Sequence, residues 1–291
     1  MTIRSHSKNG SDNSFDGLGL RLRRLFSPDT GRSLIIPLDH AITMGPRKGL
    51  EQPRSIIEAA ALGKADAVML RPGMVSCLSA SGAEELGIIL ALTGRLASGV
   101  DHVLLNSVEY AAAQAADAVC GEFKFGSSGD LENARIIAQL AERAHTMGLP
   151  VLVTVYSRPE ALEKLGSDAY AHACRIAEEI GADVIKTLLP DDPSVITQCV
   201  ESTSVPIVLA GGPPDTSTDL EDFLRRAVDR GIGGAAIGRR AWAANKPVEA
   251  IRGLVDRRSR GARSCLNRWT CWSSGSAMWG CRSPGKPSRQ A

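Results

Sequence analysis

Short apolar runs alternate along this chain with longer segments in which apolar residues recur every three or four positions. The runs carry no polar interleaving, which is the pattern of parallel strands covered by helices on both faces. Eight of them read as strands: Ser33 to Leu38, Ala67 to Leu70, Asp101 to Leu105, Ala118 to Phe125, Val151 to Tyr156, Val184 to Leu189, Ile207 to Ala210 and Gly234 to Ile237. Between them lie segments such as PRSIIEAAALG, NARIIAQLAERAHTMG and DLEDFLRRAVDRG, with apolar residues at helical spacing. Gly148, Gly181 and Gly231 stand where helices of this kind take a left-handed C-terminal cap.

Strands alternating with helices predict βα units, and eight of them in one chain predict a single TIM (β/α)8 barrel, which needs about 250 residues. A doubly wound open sheet is the alternative. It calls for a phosphate-binding glycine fingerprint after the first strand, and PLDHAITMGP is not one. The barrel is expected to span residues 17–258, opening with a short amphipathic helix from Leu18 to Phe26 whose leucines could cover an apolar opening. Residues 1–16 are polar and rich in Ser, Asn and Asp, and residues 259–291 lack either periodicity, so both extensions are expected to be disordered.

Composition narrows the function classes. The formal charge is +2, yet eight Lys or Arg and no acid lie from Arg257 to the end, leaving −6 on the rest. Basicity therefore belongs to the tail and gives no reason to infer nucleic acid. No run reaches the roughly 18 to 20 apolar residues of a membrane span and the polar start lacks a signal-peptide core, so a cytoplasmic, soluble protein without a membrane partner is expected. Cys77, Cys120, Cys174 and Cys199 are scattered, as in a reduced compartment, while Cys265, Cys271 and Cys281 crowd the tail. The five histidines form no metal-binding pair, so neither a metal nor another cofactor is expected.

The chemistry centres on GADVIKTLLPDD, Gly181 to Asp192, where Lys186 stands inside an apolar run. A buried lysine costs free energy unless it is paired or used; burial is expected to lower its pKa, and a neutral amine can attack a carbonyl to form a Schiff base. The plainer reading is a lysine that snorkels to solvent or pairs with Asp183, Asp191 or Asp192. In a barrel the functional side chains stand at the C-terminal ends of the strands. Those ends carry Asp39 and His40, Arg71, Lys124, Tyr156 and Arg158, Lys186, Gly211 and Gly212, and Gly238, Arg239 and Arg240. Asp39 could equally cap a turn, Tyr156 fill a core and the glycines form plain turns.

Together these residues resemble the class I aldolases of the DeoC/LacD type, especially the archaeal-type fructose-bisphosphate aldolases and the 2-amino-3,7-dideoxy-D-threo-hept-6-ulosonate synthases. The resemblance runs from about Leu20 to Leu254 and rests on PLDHAITMGP, VYSR at Val155 to Arg158, GADVIKT at Gly181 to Thr187, GGP at Gly211 to Pro213, and Gly238 with Arg239. It implies Lys186 as the Schiff-base nucleophile with Asp39 and Tyr156 as its catalytic partners. It implies substrate contacts from His40, Ala41, Ile42, Thr43, Ser157 and Arg158, and a phosphate site at Gly211, Gly212, Gly238 and Arg239. Departures from the family pattern fall at Ala41, Pro214, Arg240 and Trp242, near the expected substrate contacts. The implied reaction is a metal-independent aldolase or transaldolase reaction joining a phosphorylated ketone such as dihydroxyacetone phosphate to an aldehyde such as aspartate semialdehyde, in a homo-oligomer serving aromatic or secondary metabolism. Fructose-bisphosphate cleavage, or a barrel that binds a phosphorylated ligand without catalysis, are the alternatives.

Overall fold

The computed structural model describes residues 17–79, 82–97, 102–211 and 220–259. Eight parallel strands close into a barrel. They are β1 (Ser33–Pro37), β2 (Ala67–Leu70), β3 (Gly87–Ala91), β4 (Ala118–Phe125), β5 (Val151–Ser157), β6 (Val184–Thr187), β7 (Ile207–Ala210) and β8 (Gly234–Ala236). Each pairs with its neighbour in sequence, and β8 returns to β1 with Ser33 opposite Gly234. That seam depends on a glycine: Gly234 has φ 151°, and a Cβ there would lie 2.1 Å from the Ser33 carbonyl oxygen.

The alternation of side chains along each strand divides the core in two. Ile35, Met69, Ile89, Cys120, Leu152, Val184 and Val208 fill the barrel lumen, whereas Ile36, Val68, Leu90, Val119, Val153, Ile185 and Leu209 pack outward against the helices. The opening helix, Gly17–Arg24, leads into Leu25, which belongs to the lumen cluster with Leu22 and Phe26 packed against it, so this segment covers the floor of the barrel. The Ser33 hydroxyl donates to the Leu25 carbonyl at 2.6 Å and fixes it there.

The third strand differs from expectation. Val103–Leu104 forms a two-residue antiparallel ribbon with Thr93–Gly94, and both its residues are exposed. The barrel strand is Gly87–Ala91, fully buried between β2 and β4. A short Ile, Leu and Ala run suits a buried helix as well as a strand, so periodicity alone does not separate the two; only pairing on both edges decides it. Asp101, Gly212 and Pro214 lie outside the described residues, as do residues 1–16 and 260–291, on which the expectations for both extensions mostly fall.

A repeated device anchors the floor. Asp66, Asp117 and Asp183 stand just before β2, β4 and β6, and each carboxylate accepts the backbone N–H at or next to the start of the preceding strand: Leu34 at 2.6 Å, Ile88 at 2.9 Å and Val151 at 2.7 Å. Two residues before each aspartate the backbone turns left-handed, at Lys64, Ala115 and Gly181.

Candidate active site

The same alternation that fills the lumen with apolar residues turns polar towards the C-terminal ends of the strands. On β4, Glu122 and Lys124 continue the inward row of Ala118 and Cys120; on β5, Thr154 and Tyr156 continue that of Leu152; on β6, Lys186 follows Val184. Glu122 lies opposite Thr154, and Thr154 opposite Lys186, so these three share one level of the barrel. Lys186 is 6% exposed and is the one buried lysine among the described residues.

The protonation of this group follows from its surroundings. Burial works to lower the Lys186 pKa, but the acidic groups of Tyr156, Asp39, Cys120 and Glu122 outweigh it and leave the amine above its ordinary value. The expected depression is therefore reversed, because acidic groups from three other strands face the amine. Burial raises the Asp39 carboxyl, while Lys186, His40 and Arg71 overcome that and hold it below its usual range. Burial pushes the Tyr156 phenol up, more than Lys186 pulls it down, so it keeps its proton at neutral pH. Cys120, one inward position below Glu122 on β4, is pushed up to about 11 by burial and is a neutral thiol 3.5 Å from the Thr154 hydroxyl.

His40 follows Asp39, its Nδ1 3.5 Å from Oδ1 of that carboxylate, too long for a strong hydrogen bond. Burial lowers its pKa more than Asp39 raises it, so the imidazole is neutral at pH 7. Ala41–Met44 forms a short helix, in which Ala41 is exposed and Ile42 and Thr43 are half-buried. The Thr43 hydroxyl donates to the Arg95 carbonyl at 2.9 Å. Ser157 is not brought to this group: it has the outward parity of β5, and its hydroxyl donates to the Ala169 carbonyl at 3.0 Å. Arg158 has the inward parity, and its Nε is buried without a hydrogen-bond partner among the described residues. Arg71 is tied to the wall, donating to the carbonyls of Ala91 and Thr93.

Gly211 and Gly238 follow the adjacent strands β7 and β8, and the Gly211 N–H donates to the Ala236 carbonyl at 3.2 Å. A Cβ on Gly238 would come within 2.9 Å of both the Pro37 carbonyl oxygen and Trp242 Nε1. Trp242 is buried, donates to that same carbonyl at 3.2 Å, and meets His40 edge-on with ring centroids 5.9 Å apart. Arg239 begins the four-residue helix that carries it.

Sequence reasoning missed Glu122 and His102. His102 Nε2 lies 3.1 Å from Glu122 Oε1, and Lys124 Nζ lies 3.4 Å from the same oxygen. The two-residue spacing from Lys124 was a usable signal for Glu122; nothing local marked His102. A cavity of about 520 Å³ lies at the opposite end of the barrel, beside Arg23, Asp66 and Leu86, and shares no residue with this group. Among the described residues no three His, Cys, Asp or Glu side chains form a metal-ligand set, and no helix is long and apolar enough to cross a membrane.

A closed parallel barrel with ionisable side chains gathered at the C-terminal ends of its strands has the layout of a (β/α)8-barrel enzyme. The chain belongs to the DeoC/LacD aldolase family, whose profile matches residues 33–244, and it is a class I aldolase. It is 32% identical to the 2-amino-3,7-dideoxy-D-threo-hept-6-ulosonate synthase of Halobacterium salinarum over 226 residues, covering 77% of this chain and 84% of that one. It is 29% identical to the 2-amino-4,5-dihydroxy-6-oxo-7-(phosphonooxy)heptanoate synthase of Streptomyces griseus, covering 78% of this chain and 85% of that one. Among solved structures it resembles an archaeal fructose-1,6-bisphosphate aldolase with its catalytic Lys bound to the carbinolamine intermediate of the substrate (TM-score 0.73, 26% identity, 82% of this chain and 98% of that one).

Proposed function

We propose that this aldolase forms an imine between Lys186 and a phosphorylated ketone such as dihydroxyacetone phosphate, and adds the resulting enamine to an aldehyde such as aspartate semialdehyde. The observation that carries this is the burial of the Lys186 amine in one acidic pocket with Asp39 and Tyr156. The amine adds to the ketone and water leaves; a proton is then lost from the adjacent carbon, giving the enamine. Asp39 takes the proton of the Lys186 ammonium and returns it to the hydroxyl that leaves as water, then takes the proton lost from carbon. As the new carbon–carbon bond forms, the aldehyde oxygen takes a proton from the Tyr156 phenol, which is restored by the proton held on Asp39. Water then cleaves the imine and releases the product.

The product named for the Streptomyces relative supports the substrate pair. Breaking its bond between the two hydroxyl-bearing carbons leaves dihydroxyacetone phosphate and a four-carbon 2-amino aldehyde acid. Gly211, Gly212, Gly238 and Arg239 would hold the phosphate, the glycines letting it approach the backbone without a Cβ in the way and Arg239 supplying a guanidinium for charge. His40, Ile42, Thr43 and Arg158 would contact the remainder. The likeness to the fructose-bisphosphate aldolase favours a second reading in which glyceraldehyde 3-phosphate is the aldehyde.

Borohydride reduction in the presence of dihydroxyacetone phosphate should leave a stable mass adduct on Lys186 and none in Lys186→Met. Tyr156→Phe should still trap the adduct but turn over about 10²- to 10⁴-fold more slowly. Absence of an adduct on the wild-type lysine would reject the mechanism.

A further inference from the structure

We propose that Glu122, with Lys124 and Arg158 beside it, forms the subsite for the amino-acid end of the acceptor, Glu122 receiving its ammonium and the two cations its carboxylate. The inference rests on the reading above and gives a role to a carboxylate which that chemistry leaves unused.

The placement comes from strand register. Glu122 and Lys186 are two strand spacings apart on one level, roughly 10 Å between backbones, with both side chains on inward positions. An aldehyde reacting with the enamine on Lys186 and extending across the lumen reaches the β4 side, away from Gly211 and Gly238. There Glu122 is held in place: its backbone N–H donates to the Thr93 hydroxyl at 2.8 Å, and His102 and Lys124 both approach Oε1. Neither of those two contacts engages Oε2.

Charge argues for a zwitterion in particular. Burial is the chief cause that depresses Lys124, with Arg95 and Arg158 adding to it against the opposing pull of Glu122, so an anionic group brought beside Lys124 and Arg158 is favoured. Burial raises the Glu122 carboxyl, but His102, Lys124 and Lys186 overcome it and keep it ionised. A phosphorylated aldehyde would satisfy the cations while bringing its dianion beside Glu122. An amino acid offers an ammonium to the carboxylate and a carboxylate to the cations, adding no net charge to a partly buried site. The products named for both relatives carry a 2-amino group and a terminal acid.

The test uses the full chain with dihydroxyacetone phosphate as donor and two acceptors that differ only in the amino group, aspartate semialdehyde and succinic semialdehyde. Wild type should favour the amino-bearing acceptor in kcat/KM by about ten- to a hundredfold, the range of a hydrogen bond to a charged group. Glu122→Gln should abolish most of that preference, its loss falling chiefly on aspartate semialdehyde. Because Glu122 also helps hold the Lys186 proton, any change in borohydride trapping of the donor is independent of the acceptor and cancels in the ratio of the two. Glu122→Asp should retain part of it. An unchanged preference in Glu122→Gln, equal losses with both acceptors, or a wild type that does not discriminate would each overturn the proposal. If wild type traps no donor, the underlying reading fails and this one with it; normal trapping with an unchanged preference removes the subsite alone.

Discussion

Lys186 shows why burial alone does not predict the state of a lysine. Desolvation favours the neutral amine, yet the groups that surround it favour the ammonium, and they prevail. The resting lysine therefore holds its proton, and on the proposed mechanism imine formation begins with transfer of that proton, for which the ionised Asp39 is the acceptor we propose. The sign of a perturbation follows. Asp39→Asn removes an anion that stabilises the ammonium, so the lysine pKa falls and the free amine becomes available at lower pH. The rise of borohydride-trapped imine with pH should begin at lower pH in Asp39→Asn than in wild type, while turnover drops about 10²- to 10⁴-fold from loss of the proton acceptor. A trapping profile that does not move would mean that Asp39 does not set the charge of Lys186.

At the level of elements, the left-handed turns before β2, β4 and β6 solve one problem three times. A helix must end, reverse and feed a strand in few residues, and a positive φ two residues before the aspartate does this. Gly181 accepts that conformation freely, whereas Lys64 and Ala115 hold it at φ 62° and 56°. Ala115 is exposed, so Ala115→Gly gives up little packing. It should stabilise the barrel by about 0.5 to 1 kcal/mol, a few degrees in Tm. Asp117→Ala in the same turn leaves the Ile88 N–H without its acceptor. That loss should cost about 1 to 3 kcal/mol. Thermal unfolding of the two variants checks both, and equal shifts of the same sign would contradict the argument.

Considered as a whole, the barrel separates its tasks. The floor carries the aspartate clamps and the covering segment around Leu25, and the opposite end carries the ionisable groups. Cations outnumber anions among the strand-end residues, with Arg71, Lys124, Arg158, Lys186 and Arg239 against Asp39 and Glu122, in keeping with an anionic substrate. The last described helix, Pro247–Ser259, packs on the segment Pro53–Leu62 and on Leu220–Asp229. We propose that the catalytic unit ends with it. A chain ending at Arg258 should keep its imine on Lys186 and melt within about 2 °C of the full chain, less than the effect of 1 kcal/mol at this size. Loss of several degrees, or of the imine, would assign residues 259–291 a structural role.

Much of this was legible in the residues because it is written locally. A buried parallel strand is a contiguous apolar run, and seven of the eight barrel strands were readable that way, as was the position of Asp39, Tyr156 and Lys186 at or near strand ends. The two-residue period even predicts which side chains share a face, and it accounts for Ser157 turning away from Tyr156. Tertiary structure alone decided the rest. Gly87–Ala91 became a strand because β2 and β4 offered it both edges, while Val103–Leu104 found only a two-residue partner outside the barrel. His102 met Glu122, and Lys186 kept its proton, because side chains far apart in sequence converge in one lumen. The apolar run that makes a strand is a short-range property; the sum of charges acting on a buried group is not, and it exists only once the barrel has closed.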